Sequence, residues 1–106
     1  MRKITERIKE AFEQGTSLKI GNTRTDGTSV WLHGNEIVRR DPSGLVLATL
    51  AGWNTPTTRE RVNGITGMSF HQASFCACLD GQPINECAWF VKCHDGVSRH
   101  RFSLSR

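Results

Sequence analysis

Turn-forming clusters recur at short intervals along this chain, and they limit what it can fold into more than any other feature does. Asp26-Gly27, Gly34-Asn35, Asp41-Pro42-Ser43-Gly44, Asp80-Gly81 and Asp95-Gly96 all supply residues suited to tight reversals, several with a glycine able to take a positive φ. The segments between them alternate as strands do. Leu18 and Ile20 alternate with Lys19 and Gly21, which predicts a strand over 17–24. In Thr28–His33, Val30 and Leu32 face one way and Trp31 and His33 the other. Glu36–Arg40 reads as a third short strand, and the stretch "LVLATLA" is apolar on both faces, as an interior strand should be. The pattern is an antiparallel meander.

A helix precedes it. Ile4, Ile8, Ala11 and Phe12 recur at helical spacing, charged residues fill the other faces, and Gly15 supplies a stop. After the meander, "GMSFHQASFCACLDG" and "INECAWFVKC" read as two strands of a hairpin centred near Gln82-Pro83, with Cys78 opposite Cys87 and Cys76 opposite Trp89. A last strand is expected in "VSRHRFSL". A chain of 106 residues supports one modest core. The expected fold is therefore α+β in a single domain, 1–106: an N-terminal helix packed on an antiparallel β-sheet (the meander plus a C-terminal hairpin), with a second short helix near residues 56–63.

That second helix lies in "GWNTPTTRERVNGI", Gly52–Ile65. Two starts compete. Thr55 as N-cap places Pro56 at the first helical position, where proline is favoured; Thr57 as N-cap places Glu60 three residues on, completing a capping box. Val62 and Ile65 are the apolar anchors, Asn63-Gly64 the expected end, and Trp53 the expected packing anchor. The same residues could instead bind. A helix start presents free N–H groups to an anion, the hydroxyls of Thr55, Thr57 and Thr58 and the guanidinium of Arg59 could complete such a site, and Trp53 could stack on a partner. Arg59 and Arg61 stand two apart, so both cannot face one packed surface, and Arg59 is expected to point outward.

Residues 1–95 carry eleven Lys and Arg against ten Asp and Glu, so most of the net charge of +4 comes from Arg99, Arg101 and Arg106 in a tail without acids. That tail could meet phosphates or an acidic protein surface, or be an ordinary solvated strand. The four cysteines, Cys76, Cys78, Cys87 and Cys93, begin with a C-x-C spacing that suits structural zinc poorly. They are expected to be reduced, metal-free and packed in the core, with a zinc site and a disulfide as the alternatives. His33, His71, His94 and His100 are scattered outside any nucleophile or metal-hydrolase motif, so neither catalysis nor a cofactor is expected. The N-terminus lacks the continuous apolar run of a signal peptide and no segment is apolar enough to span a bilayer, which leads us to expect a cytoplasmic protein with no membrane partner.

"WLHGNEI" followed by "GWNTPTTRERVNG" resembles a pattern shared by small phage and prophage proteins without assigned function. Their form is Leu-His-Gly-Asn-x-Ile, then Gly-Trp-x-Thr-x-Thr-Thr, then Arg-Leu-Asn. Here His33, Gly34, Asn35 and Ile37 match, as do Gly52, Trp53, Thr55, Thr57, Thr58, Arg61 and Asn63; Val62 stands where leucine is usual. The resemblance covers residues 30–65 and brings no reaction or ligand with it. Taken with the small size, the lack of a catalytic set and a polar surface suited to docking, it leads us to expect a small phage accessory protein that binds and inhibits a host protein or ribonucleoprotein, with CRISPR inhibition the sharpest anti-defence version. A nucleic-acid-binding module using the basic tail and Arg59 and Arg61 is the alternative, and a zinc-stabilised adaptor a third. The candidate partner-binding residues are Trp53, Thr57, Thr58, Arg59, Arg61, Arg99, Arg101 and Arg106.

Overall fold

The computed structural model describes residues 2–92 throughout and residues 98–100 as backbone. The first helix, α1, spans Lys3–Gln14 and ends at Gly15, whose φ of 74° lets its N–H return to the carbonyls of Ala11 and Phe12. Ile8, Ala11 and Phe12 are buried on one stripe, as the spacing requires, and Thr5 is buried with them.

The expected strand over 17–24 is instead a hairpin. Strand β1 (Leu18–Ile20) turns at Gly21-Asn22 into β2 (Thr23–Thr25), with Gly21 at φ 58°. The inward face of β2 is carried by Thr23 and Thr25, which are buried but read as polar, so the alternation hides the reversal. The Asp26-Gly27 turn then leads into β3 (Ser29–Leu32). The Asp26 carboxylate accepts the N–H groups of Thr28 and Ser29 at 2.9 Å each, and those bonds hold it below its ordinary pKa. Gly27 has a second reason to be glycine: a Cβ there would lie 2.4 Å from the carbonyl carbon of Gly15. Arg40 fastens this corner, donating to the carbonyls of Gly27 (2.7 Å) and Phe12 (3.2 Å).

Between β3 and β4 (Asn35–Arg40) the turn residues are His33-Gly34, one position earlier than expected, because these two carry the positive φ values, 52° and 81°. An irregularity in the ladder pairs Val30 with Val38 but Trp31 with Glu36, so Ile37 and Val38 are both buried despite being adjacent. The exposed Pro42-Ser43-Gly44 turn is organised by Asp41, which accepts from the N–H groups of Ser43 (2.9 Å) and Leu45 (3.0 Å). Strand β5 (Val46–Ala48) follows.

The second helix, α2, runs Pro56–Thr66, past the expected end at Asn63-Gly64, and stops at Gly67 with φ 76°. Stopping at Gly64 would forfeit Ile65, which is buried, whereas Gly67 takes the left-handed cap freely. Asn63 does other work: its side chain donates to the carbonyl of Phe70 and accepts the N–H of Phe70, both at 2.8 Å. That pair ties the helix to β6 (Phe70–Ala73).

The cysteine-rich segment also differs from expectation. Strands β6, β7 (Cys76–Leu79) and β8 (Gln82–Pro83) form a separate three-stranded antiparallel sheet, with reversals at Ser74-Phe75 and Asp80-Gly81. Cys78 lies between His71 and Pro83, not opposite Cys87. Strand β9 (Phe90–Lys92) instead joins the main sheet beside β5 and pairs on its far side with β10 (Ser98–His100), the expected last strand. The main sheet thus has seven antiparallel strands in the order β1-β2-β3-β4-β5-β9-β10, and β5 is interior, as its two apolar faces require.

Both helices contribute to one core. Ile8 and Phe12 of α1 and Val62 and Ile65 of α2 join Val30, Leu32, Val38, Ala48 and Phe90 of the main sheet. Met68, Phe70, Ala77 and Leu79 continue this core under the small sheet, and Phe70 meets Phe90 edge to face at 5.9 Å. The α+β architecture, N-terminal helix on an antiparallel sheet with a second short helix, is the one expected.

Candidate functional site

The start of α2 resolves the competition between caps. Thr55 is the N-cap: its Oγ1 accepts the N–H of Thr58 at 3.2 Å, and Pro56 takes the first helical position. The Thr58 hydroxyl closes back on that of Thr55 at 2.9 Å, and Thr58 is buried. Thr57, half-buried on the first turn, makes no capping box, because Glu60 reaches to α1 instead.

Arg61 was expected at a partner surface. It is only 3 % exposed. Its Nε donates to Thr23 Oγ1 at 3.1 Å and its Nη1 to Thr5 Oγ1 at 3.0 Å, and it pairs with Glu60. Burial pushes the Glu60 carboxyl up, but hydrogen bonds from Thr5, the Arg2 N–H and Arg61 outweigh it and hold the group below its ordinary range. One guanidinium therefore joins α1, β2 and α2. Arg59 points away from that network, as its spacing from Arg61 requires, and donates to Asn54 Oδ1 and to Gln72 Oε1 of β6. It bridges the helix start to the small sheet.

The network continues toward the surface, and each bond orients the next. The Thr23 hydroxyl accepts from Arg61, so its proton goes to Asn22 Oδ1 at 2.9 Å. That fixes the Asn22 amide, whose Nδ2 then donates to His33 Nε2 at 3.2 Å.

Trp53 was expected to pack as an anchor. It is instead 57 % exposed. It stands at a cavity of about 320 Å³ between the β3–β4 turn and the start of α2. The buried side chains Leu32, Ile37 and Leu50 form the apolar floor. His33, Asn35, Thr55 and Thr58 supply hydrogen-bonding groups, and among the described residues no Lys, Arg, Asp or Glu lines the cavity. Apolar walls with a few convergent polar groups are the usual make-up of a binding pocket, and this volume falls at the small end of the range. The two stretches "LHGNEI" and "GWNTPTT" meet here: the first supplies Leu32, His33, Asn35 and Ile37, the second Trp53, Thr55 and Thr58. Sequence reading assigned these residues to turn, cap and anchor. It had no means of seeing that the two stretches meet at one wall, beside Leu50 just past β5.

The remaining candidates do not gather at this pocket. Cys78 is buried, as expected of a core cysteine, but Cys76 and Cys87 are exposed free thiols. Cys93 lies outside the described residues, among which no cluster of His, Cys, Asp or Glu is arranged to hold a metal. Arg99 sits on β10 opposite Val91, its side chain outside the description, and Arg101 and Arg106 lie outside it altogether. Two arginines that the sequence reading did not single out cover tryptophans, Arg24 over Trp31 at 3.9 Å and Arg39 over Trp89 at 4.7 Å. Arg39 also pairs with Glu36, and that hydrogen bond holds the Glu36 carboxyl below its ordinary pKa. Phe75, also missed, is 94 % exposed at the tip of the β6–β7 hairpin; no glycine or asparagine marked that turn.

Fold and pocket together define a small α+β protein with an apolar-floored cavity at the start of its second helix. The model of the Kyanoviridae Gp96 protein family matches residues 1–103, and the chain belongs to that family of phage proteins. The match extends well beyond the 30–65 segment that carried the resemblance. No curated protein and no solved structure matches the chain. Among the described residues no helix is long and apolar enough to cross a membrane.

Proposed function

We propose that this phage protein acts by binding a host protein rather than by catalysis, and that the Trp53 pocket is where the partner docks. The observation that supports this reading is a tryptophan left 57 % exposed at the mouth of an uncharged cavity. Exposed aromatic side chains beside a pocket are the usual anchors of a protein interface. An uncharged lining suits an apolar or aromatic side chain better than a phosphate. Inhibition of a host defence complex, including a CRISPR ribonucleoprotein, is the sharpest form of the proposal. It draws on the phage family and on the scattered histidines, which form no catalytic set. The helix start gives little support to the nucleic-acid alternative, since Thr58 and Arg61 are buried and Arg59 is engaged with Asn54 and Gln72.

The test is capture from host lysate on immobilised protein, with and without nuclease, comparing wild type with Trp53→Ala. A protein partner that survives nuclease and disappears with Trp53→Ala is the expected result. Capture that needs nucleic acid, or that ignores Trp53, would overturn the reading.

A further inference from the structure

Four two-residue turns among the described residues place both central residues at positive φ. His33-Gly34 (52° and 81°), Ala51-Gly52 (55° and 82°) and Asp80-Gly81 (52° and 85°) have glycine in the second position, where that backbone is least costly. The fourth, Ser74-Phe75 (51° and 64°), has phenylalanine there. Ala73 pairs with Cys76, so Ser74 and Phe75 are the whole loop. A bulky side chain in a left-handed backbone is strained. Phe75 recovers nothing from packing within the described molecule, because it is 94 % exposed. Nothing in the fold accounts for a phenylalanine at this position.

Phe75 and Trp53 are the large exposed apolar side chains among the described residues. Gln72 of β6 is hydrogen-bonded to Asn54, the residue after Trp53, at 3.4 Å and to Arg59 at 3.3 Å, so the base of the hairpin that carries Phe75 stands beside the Trp53 segment. Phe75 is three residues beyond Gln72, at most roughly 10 Å of chain. A knob and a hole that near each other on one chain can be exchanged reciprocally between two copies, which is the arrangement a closed two-fold dimer requires. The hole suits the knob. It has an apolar floor, no charge and about 320 Å³, against the ~150 Å³ cavity that accepts benzene.

We infer that Phe75 is a docking knob for a second copy of this chain, each copy placing its phenyl ring in the Trp53 pocket of the other. The inference rests on the reading of that pocket as a protein-docking hole. It adds that the pocket has an occupant within the protein's own sequence.

Sedimentation equilibrium of the purified full chain tests it, in reducing buffer so that the exposed thiols of Cys76 and Cys87 cannot cross-link. Wild type should dimerise with rising concentration. S74N/F75G, which installs the preferred turn pair, should lose at least roughly ten-fold in association constant. It should melt no lower than wild type. Trp53→Ala should lose association to a similar extent. Mixing S74N/F75G with Trp53→Ala should restore a heterodimer, because one chain keeps the hole and the other the knob. A wild type that stays monomeric at its highest soluble concentration would overturn the inference, as would a dimer indifferent to S74N/F75G, a mixture with no heterodimer, or a marked fall in melting temperature for S74N/F75G. Absent dimers with Trp53-dependent host capture would sink this inference alone. Dimers with Trp53-independent capture would sink only the host-docking reading.

Discussion

The two flanks of α2 make opposite use of similar material. On one flank Arg61, Glu60, Thr5 and Thr23 form a closed polar cluster in which every described side-chain polar atom that is buried has a partner. On the other, Leu32, Ile37, Leu50 and Trp53 leave an apolar cavity open to solvent. Ordinary patterning would put the charges outside and the tryptophan inside. The inversion separates residues committed to holding the fold from residues free to meet something else. An internal arginine needs partners from three elements and cannot be released without breaking their contact. An exposed tryptophan can be covered at little cost to the fold.

The comparison breaks most visibly at Arg61. Arg61→Ala removes the group that joins both helices to β2 and leaves Glu60 without its ion pair, so unfolding free energy should fall by about 3–5 kcal/mol. Urea denaturation measures this; a loss under about 1 kcal/mol would mean that the polar cluster does not hold the helices together. Next in size is Thr55→Ala, which leaves the Thr58 N–H uncapped and should cost about 1 kcal/mol. Thr57→Ala at the neighbouring position should cost clearly less, and equal losses would argue against Thr55 as the cap.

Acid should act on the same flank. The Glu60 pKa is lower folded than unfolded, so its stabilisation is fully present above the unfolded value, roughly 4.3, and is lost as pH falls through the folded one. Melting temperature should therefore drop below that pH, and less steeply in Glu60→Gln. Some slope will remain from Asp26 and Glu36, which are depressed in the same direction. Parallel curves for wild type and Glu60→Gln would remove Glu60 from the account.

The smallest effect on stability belongs to the open flank. Trp53→Ala should change unfolding free energy by no more than about 0.5 kcal/mol, as expected for an exposed side chain. A larger loss would return Trp53 to the anchoring role that its size first suggested.

Much of the fold was legible because its signals are local. The stripe of Ile8, Ala11 and Phe12, the Gly15 stop and the Thr55-Pro56 start all act within a few residues. The errors share a different cause. Arg61 reads as a surface charge because the threonines that replace its water stand 38 and 56 positions away in sequence. The β1–β2 reversal is masked by threonines doing the work of apolar residues, and the Ser74-Phe75 turn has neither glycine nor asparagine to announce it. Every pocket residue falls in a stretch already noticed, Leu50 in the apolar run "LVLATLA" and the rest in the two motif stretches. Their meeting depends on strand order, which periodicity does not encode.

Strand β4 runs from Asn35, at the pocket, to Arg40, where the exposed Pro42-Ser43-Gly44 turn begins, a length of about 17 Å at the usual rise per residue. The pocket and the exposed turn therefore sit at opposite ends of a single strand. A short peptide tag or a biotinylated lysine inserted at residues 42–44 would tether the protein to a sensor surface with the Trp53 cavity directed away from it. The superficially similar Asp26-Gly27 turn offers no such freedom, because its backbone is pressed against Gly15.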